Sequence, residues 1–273
     1  MNISTARRIA RRLHPFSAKE RIVAVLESYL DASGTDPNQK VVVVAGWGAT
    51  EDEWDHWEDH WLKMLAELEL KEWHHTDFWA RRGPYRDWNE AKFLLAQGQL
   101  IKIFNEIGLL GIGAAVWRAD YEAALASGKW KKMPSTPYGF CLNDCAEGLI
   151  HGFHEVPDDE GIAIYADKDG KAFEEIGKAL FDWHTDYNQR SRVALNPARN
   201  VSTTYGPKSQ YRPLEGADVL ANETYRYMFN ESRTGMPKLG GIFAGQEDTA
   251  SPIIRGIHGG LGESDIILAG TNR

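Results

Sequence analysis

Tyr29-Leu30-Asp31-Ala32-Ser33-Gly34 is the stretch around which the chain is organised. An apolar run over 22–30 stops at an acid. Small and turn-forming residues follow at once (Ser33, Gly34, Thr35, Asp36, Pro37), and 41–45 is a second apolar run. The pattern predicts strands over 21–31 and 40–47, tightly joined and paired antiparallel. An acid at the C-terminal end of a buried strand faces low dielectric on one side, which is costly unless something positive sits on it. A metal ion meets that need when other acids converge on the same place.

The chain after this hairpin alternates helices with strands. Over 51–70 the apolar stripe Trp54, Trp57, Trp61, Met64, Leu65 and Leu68 has three-and-four spacing, which predicts a helix. Thr50 suits its N-cap, and Glu51, Asp52 and Glu53 suit its positive start. A short strand or turn is predicted over 73–78, a polar loop over 81–88, a helix over 89–107 and a buried strand over 108–117. A short helix over 120–127, a basic loop over 129–137 and a helix over 138–154 follow. The strand over 161–166 ends at Asp167, a helix covers 172–187, a strand 201–205, and a helix over 213–229 carries Glu215, Asp218 and Glu223. This reads as one α/β domain over 21–232 built on a mixed sheet. A basic lead-in over 1–20 precedes it, and a Gly-rich, loosely held tail over 233–273 follows.

Composition narrows the class. With a formal net charge of −8 there is no global basic signal for nucleic acid, although carboxylates clustered for metal ions would themselves make a chain acidic. No apolar run approaches the roughly 20 residues that span a bilayer. Arg7, Arg8, Arg11 and Arg12 are followed by no apolar stretch of a secretory signal. A cytoplasmic protein that makes no membrane contact is expected. Cys141 and Cys145 read as two buried thiols on one helix face. His56 and His60 have helical spacing, but Trp57 and Asp59 stand where zinc-protease patterns need Glu. No phosphate-binding loop, dinucleotide fingerprint or nucleophile elbow is present. Two short loops, Arg81, Arg82 and Arg86 with Tyr85 and Trp88, and Lys129, Lys131 and Lys132 with Trp130, combine bases with aromatics as phosphate contact and base stacking require.

The chemistry rests on the acids. Asp31 and Asp167 each end a short apolar strand before a turn, and functional groups of α/β sheets gather at the carboxyl ends of strands. Neighbouring parallel strands would bring the two within metal-bridging reach. Asp218 sits among Gly216, Ala217 and Ala221, small residues that let a helix approach a sheet and aim the acid inward. Glu215 and Asn222 share its face, whereas Glu223 is about 140° round the helix. Two divalent ions ~3.5–4 Å apart activate water and stabilise the leaving oxygen in phosphodiester hydrolysis. Mg²⁺ or Mn²⁺ needs only carboxylate oxygens.

At these residues the chain resembles a known family. Tyr29-Leu30-Asp31-Ala32-Ser33-Gly34 resembles the Asp-Glu-Ser-Gly opening of the ribonuclease-H-like family called domain of unknown function 3800. His74-x-x-Asp77-Phe78 resembles its His-x-x-acid-apolar element. The segment from Leu214 through Glu215, Asp218 and Glu223 is similar to its late Leu-Gln-x-Ala-Asp-x-x-Ala helix, and Asp167 fits its middle acid. Ala32 stands where the family has Glu, and Glu215 where it has Gln. The resemblance implies a ribonuclease-H-like mixed β-sheet flanked by helices and a metal-dependent nuclease, with nucleic acid, DNA or RNA, as partner. Asp31, Asp167 and Asp218 are the expected catalytic metal ligands. Glu215 and Glu223 are expected to be secondary ligands or to help position water, and His74 and Asp77 to line the site. The alternative, favoured by Ala32, is a catalytically degenerate module of the same fold that binds nucleic acid or a protein partner.

Overall fold

A computed structural model describes residues 26–127, 136–152, 162–167, 201–234 and 254–259. The lead-in expected over 1–20, the Lys129, Lys131 and Lys132 loop, the helix expected over 172–187 and most of 233–273 lie outside the described residues.

Strands β1 (Leu26–Ser33) and β2 (Val41–Ala49) form the expected antiparallel pair, joined by a turn in which Gly34 takes a φ of 73°. Helix α1 (Glu51–Glu67) opens on a capping box: Thr50 Oγ1 accepts from the Glu53 amide and the Glu53 carboxylate accepts from the Thr50 amide. Helices α2 (His75–Trp79) and α3 (Glu90–Glu106) follow, then β3 (Leu110–Trp117), α4 (Arg118–Ala126) and α5 (Pro137–Gly152). Strands β4 (Ile162–Asp167) and β5 (Val201–Gly206), helix α6 (Pro213–Thr234) and strand β6 (Ile254–Gly259) complete the described chain.

The six strands form one sheet in the order β5-β4-β1-β2-β3-β6. β1, β2 and β3 pair antiparallel; β4 runs parallel to β1, β5 to β4, and β6 to β3. The protein is thus an α/β fold with a mixed sheet and flanking helices. Two expectations are corrected. The stretch read as a short strand or turn over 73–78 holds a short helix, because the Phe78 amide closes a helical turn on the His74 carbonyl and so sets His75 and Phe78 against each other inside an aromatic cluster. Residues 254–259 lie in the stretch read as a loosely held tail, yet they form an edge strand: a backbone ladder to β3 needs no apolar periodicity of its own.

Strand alternation makes two cores. Tyr29, Val41, Val43, Ala45 and Trp47 face α1, α3 and α6, whereas Leu26, Leu30, Val42, Val44, Ile112 and Val116 face α4 and α5. Cys141 and Cys145 are buried thiols of the second core, and their Sγ atoms donate to the carbonyls of Val42 and Val44. The first core is held by indoles. Trp54 Nε1 donates to the Glu27 carbonyl of β1 (2.9 Å) and Trp47 Nε1 to the Gly216 carbonyl of α6 (3.0 Å). Each ring is buried while its polar edge stays satisfied. No helix among the described residues is long and apolar enough to cross a membrane.

At Gly216 α6 packs directly on α1: a Cβ there would lie 2.8 Å from Trp57 Cζ2. Gly to Ala inside a helix normally stabilises by about 1 kcal/mol. Here Trp57 is fully buried and cannot retreat, and overpacking costs about 1–3 kcal/mol, so the steric term wins. Gly216→Ala is therefore expected to lower unfolding stability, read as a fall in the urea midpoint at unchanged m-value.

Candidate active site

The site begins with the phase of two strands. β1 and β4 pair in parallel register with Leu30 opposite Ala166, so the next residues along each are Asp31 and Asp167. Alternation sends both to the face of Tyr29 and Tyr165, the face that α6 covers. α6 presents Asp218 toward the same place. The turn over 207–210, between β5 and α6, supplies Lys208. Its Nζ lies 3.0 Å from Asp31 Oδ2, 3.3 Å from Asp218 Oδ2 and 3.6 Å from Asp167 Oδ2. Three acids from three separate segments thus surround one ammonium ion.

Further donors orient the cluster. Asp31 Oδ1 accepts from the Ala32 amide (2.7 Å), and Asp218 Oδ2 accepts from the His75 amide (2.9 Å). Burial pushes the Asp31 carboxyl up to about 7; Lys208 pulls it down, and Asp218 and Asp167 push it up. Burial opposes the charge on Lys208, yet Asp31, Asp218 and Asp167 outweigh it and hold the ammonium above the ordinary lysine range. With every group ionised, one ammonium leaves the three carboxylates with a net negative charge.

His74 and Asp77, expected to line the site, have their nearest charged partners elsewhere. His74 Nε2 is 3.2 Å from Glu72, and Asp77 is 3.0 Å from Arg82. Arg81 pairs with Glu90 and lies over the Phe93 ring. The residue that reaches the site is His75, fully buried. Its amide holds Asp218, Trp73 Nε1 donates to its Nδ1 (3.2 Å), and its Nε2 donates to Glu223 Oε1 (2.7 Å). Trp79 Nε1 also donates to Glu223 Oε1 (2.6 Å), and Arg226 lies 3.4 Å from the same oxygen.

Glu215 is engaged in the same manner. Its Oε2 accepts from Trp61 Nε1 (2.8 Å) and the Trp73 amide (3.0 Å), and its Oε1 from Arg212 (3.0 Å). Burial still pushes it up to about 6, against the pull of Trp61, Arg212 and Trp73. Glu215 and Glu223 form no ion pair with Lys208; they join α6 to α1 and α2. Asn222, on the face of Asp218, donates to Thr76 Oγ1 (3.0 Å).

Lys208 escaped the sequence reading, and of the adjacent pair His74 and His75 that reading favoured His74. Lys208 follows Gly206-Pro207 directly after β5, at the carboxyl end of a parallel strand, and that position was the available signal. His75 differs from His74 only in helical phase, which the sequence did not reveal.

Three carboxylates are the right donors for a hard divalent ion. Their present spacing suits an ammonium: among the described residues no group of three or more His, Cys, Asp or Glu is arranged to hold a metal ion. Oxygens at 3.0–3.6 Å from a shared centre would have to close to ~2.0–2.1 Å to ligate Mg²⁺.

No family model matches the chain, and no curated protein matches it. Among solved structures the chain is similar to the crystal structure of Bst-RNase HIII in complex with Mn²⁺, at a TM-score of 0.40 and 15% identity. The match covers 82% of this chain, which spans 60% of the length of that ribonuclease.

The raised Asp31 carboxyl makes stability depend on pH. Its value moves from 3.8 to about 7 on folding, so between those limits the folded state keeps a proton that the unfolded state has lost. The contribution is therefore full at low pH and is lost as pH rises through about 7. Asn carries no such charge. Asp31→Asn is expected to be more stable than the wild type at pH 8, by about 1 kcal/mol or more, with the advantage gone near pH 4. Urea midpoints of the two proteins at both pH values measure this.

Proposed function

We propose that the protein has a ribonuclease-H-like fold and hydrolyses phosphodiester bonds of nucleic acid with Mg²⁺ or Mn²⁺ held by Asp31, Asp167 and Asp218. The observation that carries this reading is the gathering of those carboxylates, from positions far apart in the chain, at the carboxyl ends of adjacent parallel strands and on the helix that covers them. A mixed sheet flanked by helices supports the fold. When bound, the ion supplies an activated water and positive charge at the leaving oxygen.

The chain's own residues supply orientation. The Ala32 amide turns Asp31, and the His75 amide turns Asp218. Glu223, through His75, and Glu215, through Trp61 and Trp73, act in this reading as braces for α6. Ala32 weighs less against activity than the sequence alone suggested: it packs against the second core, on the opposite sheet face from Asp31.

A second reading draws on Lys208. A chain that satisfies its acids with its own lysine can keep the fold without metal, as a binding module for nucleic acid or a protein. Mn²⁺ separates the two readings. The nuclease reading expects a rise in Tm on adding Mn²⁺, and Mn²⁺-dependent cleavage of single- or double-stranded nucleic acid. Asp31→Asn, Asp167→Asn and Asp218→Asn should each lose that Tm shift and lower cleavage by roughly 100-fold or more, about 3 kcal/mol of transition-state stabilisation. The urea midpoint of Asp31→Asn at pH 8, measured beside the wild type, separates that loss from unfolding. A wild type whose Tm ignores Mn²⁺ and which cleaves nothing leaves the binding module.

A further inference from the structure

We propose that Lys208 is a built-in competitor for the divalent ion: its ammonium gathers Asp31, Asp167 and Asp218 in the metal-free protein and withdraws when the ion binds them. This inference rests on the reading of the three acids as a metal site.

Geometry makes the two cations exclusive. Nζ lies 3.0, 3.3 and 3.6 Å from one oxygen of each acid, so it stands in the space that an ion shared by the three carboxylates would fill. An ion ~2.0–2.1 Å from those oxygens cannot coexist with an ammonium centred among them. The ammonium is also well matched to its role in the empty site. The three acids are buried or nearly so, and like charges gathered out of water repel unless a cation lies between them.

Lys208 has somewhere to go. It stands in a turn closed by the Gln210 and Tyr211 amides on the Pro207 carbonyl. Ser209 and Gln210 beside it are exposed, although the Lys208 side chain itself is only 12% exposed. A flexible four-carbon stem can carry its strongly hydrated head from the acids into water by rotation within this turn, with the sheet undisturbed. The exchange replaces one positive charge with two, so the carboxylates gain while the ammonium recovers its hydration. Lys208 thereby sets a threshold: the site stays closed and charge-compensated at low metal, and loads only where the ion outcompetes the tethered amine.

The test is titration of the full chain with MnCl₂ alone, followed by calorimetry and thermal melting, for the wild type and Lys208→Met. Removing the ammonium is expected to tighten Mn²⁺ binding by at least about tenfold, because the ion no longer has to displace a tethered cation from the same three carboxylates. The metal-free variant should melt below the wild type, and the gap should narrow as Mn²⁺ is added. A second measurement needs no variant. Acetylation of the wild type, read by mass spectrometry, should find Lys208 protected without Mn²⁺ and reactive when Mn²⁺ is saturating. Equal or weaker Mn²⁺ binding by Lys208→Met, or a Lys208 still protected in the Mn²⁺-saturated wild type, overturns the competition and leaves the metal site standing. Mn²⁺ binding by neither protein overturns the metal reading, and the competition with it.

Discussion

Like charge gathered out of water is the constraint on which the rest of this structure depends. Once β1 and β4 pair in register, Asp31 and Asp167 follow as neighbours, and the packing of α6 over the same strands adds Asp218. Backbone amides hold two of them, Ala32 on Asp31 and His75 on Asp218, but carry no net charge to set against the repulsion. Lys208 supplies that charge, from a turn that belongs to no strand or helix. The cost of the cluster shows in Asp31, which burial and its two acidic neighbours keep at about 7 despite the ammonium 3.0 Å away.

The position of α6 is fixed by polar groups more than by its apolar stripe. Trp47 holds the Gly216 carbonyl, Trp61 and the Trp73 amide hold Glu215, the His75 amide holds Asp218, Thr76 receives Asn222, and the His75 ring holds Glu223. An apolar face alone could slide by one turn, about 5.4 Å, and still be buried. These bonds could not follow, since each buried donor or acceptor would lose its partner at a cost of about 1–3 kcal/mol. The aromatic segment over 73–79 therefore acts as a ruler that sets where along the sheet Asp218 stands.

Much of this frame was legible in the sequence. Period-two and three-and-four patterns located the strands and long helices, because burial on one face imposes those periods directly. The three aspartates were legible for a related reason: each ends or interrupts an apolar run, where a charge is conspicuous. What was not legible came from phase and from tertiary reach. His74 and His75 are adjacent letters, and only the start of a short helix decides which of them enters the core. The partners of Glu215 and Glu223, an indole and an imidazole, come from distant segments that no local pattern links to α6. Lys208 was marked only by its place just after a parallel strand, with no periodic pattern around it. β6 carries a ladder but no apolar period.

The sheet order has a further consequence for the sequence of events in folding. The meander β1-β2-β3 is assembled from contiguous chain and holds only one of the three acids. β4 must then travel back past the whole meander to add beside β1, and in docking it carries one carboxylate onto another. That closure joins residues far apart in sequence, which is slow on entropic grounds alone. The turn bearing Lys208, with β5 before it and α6 behind it, brings a cation that offsets this electrostatic cost. The β4-β5 edge, the turn and α6 therefore consolidate as a single late unit. During synthesis, a chain that has not yet emerged beyond β5 holds two of the acids without Lys208.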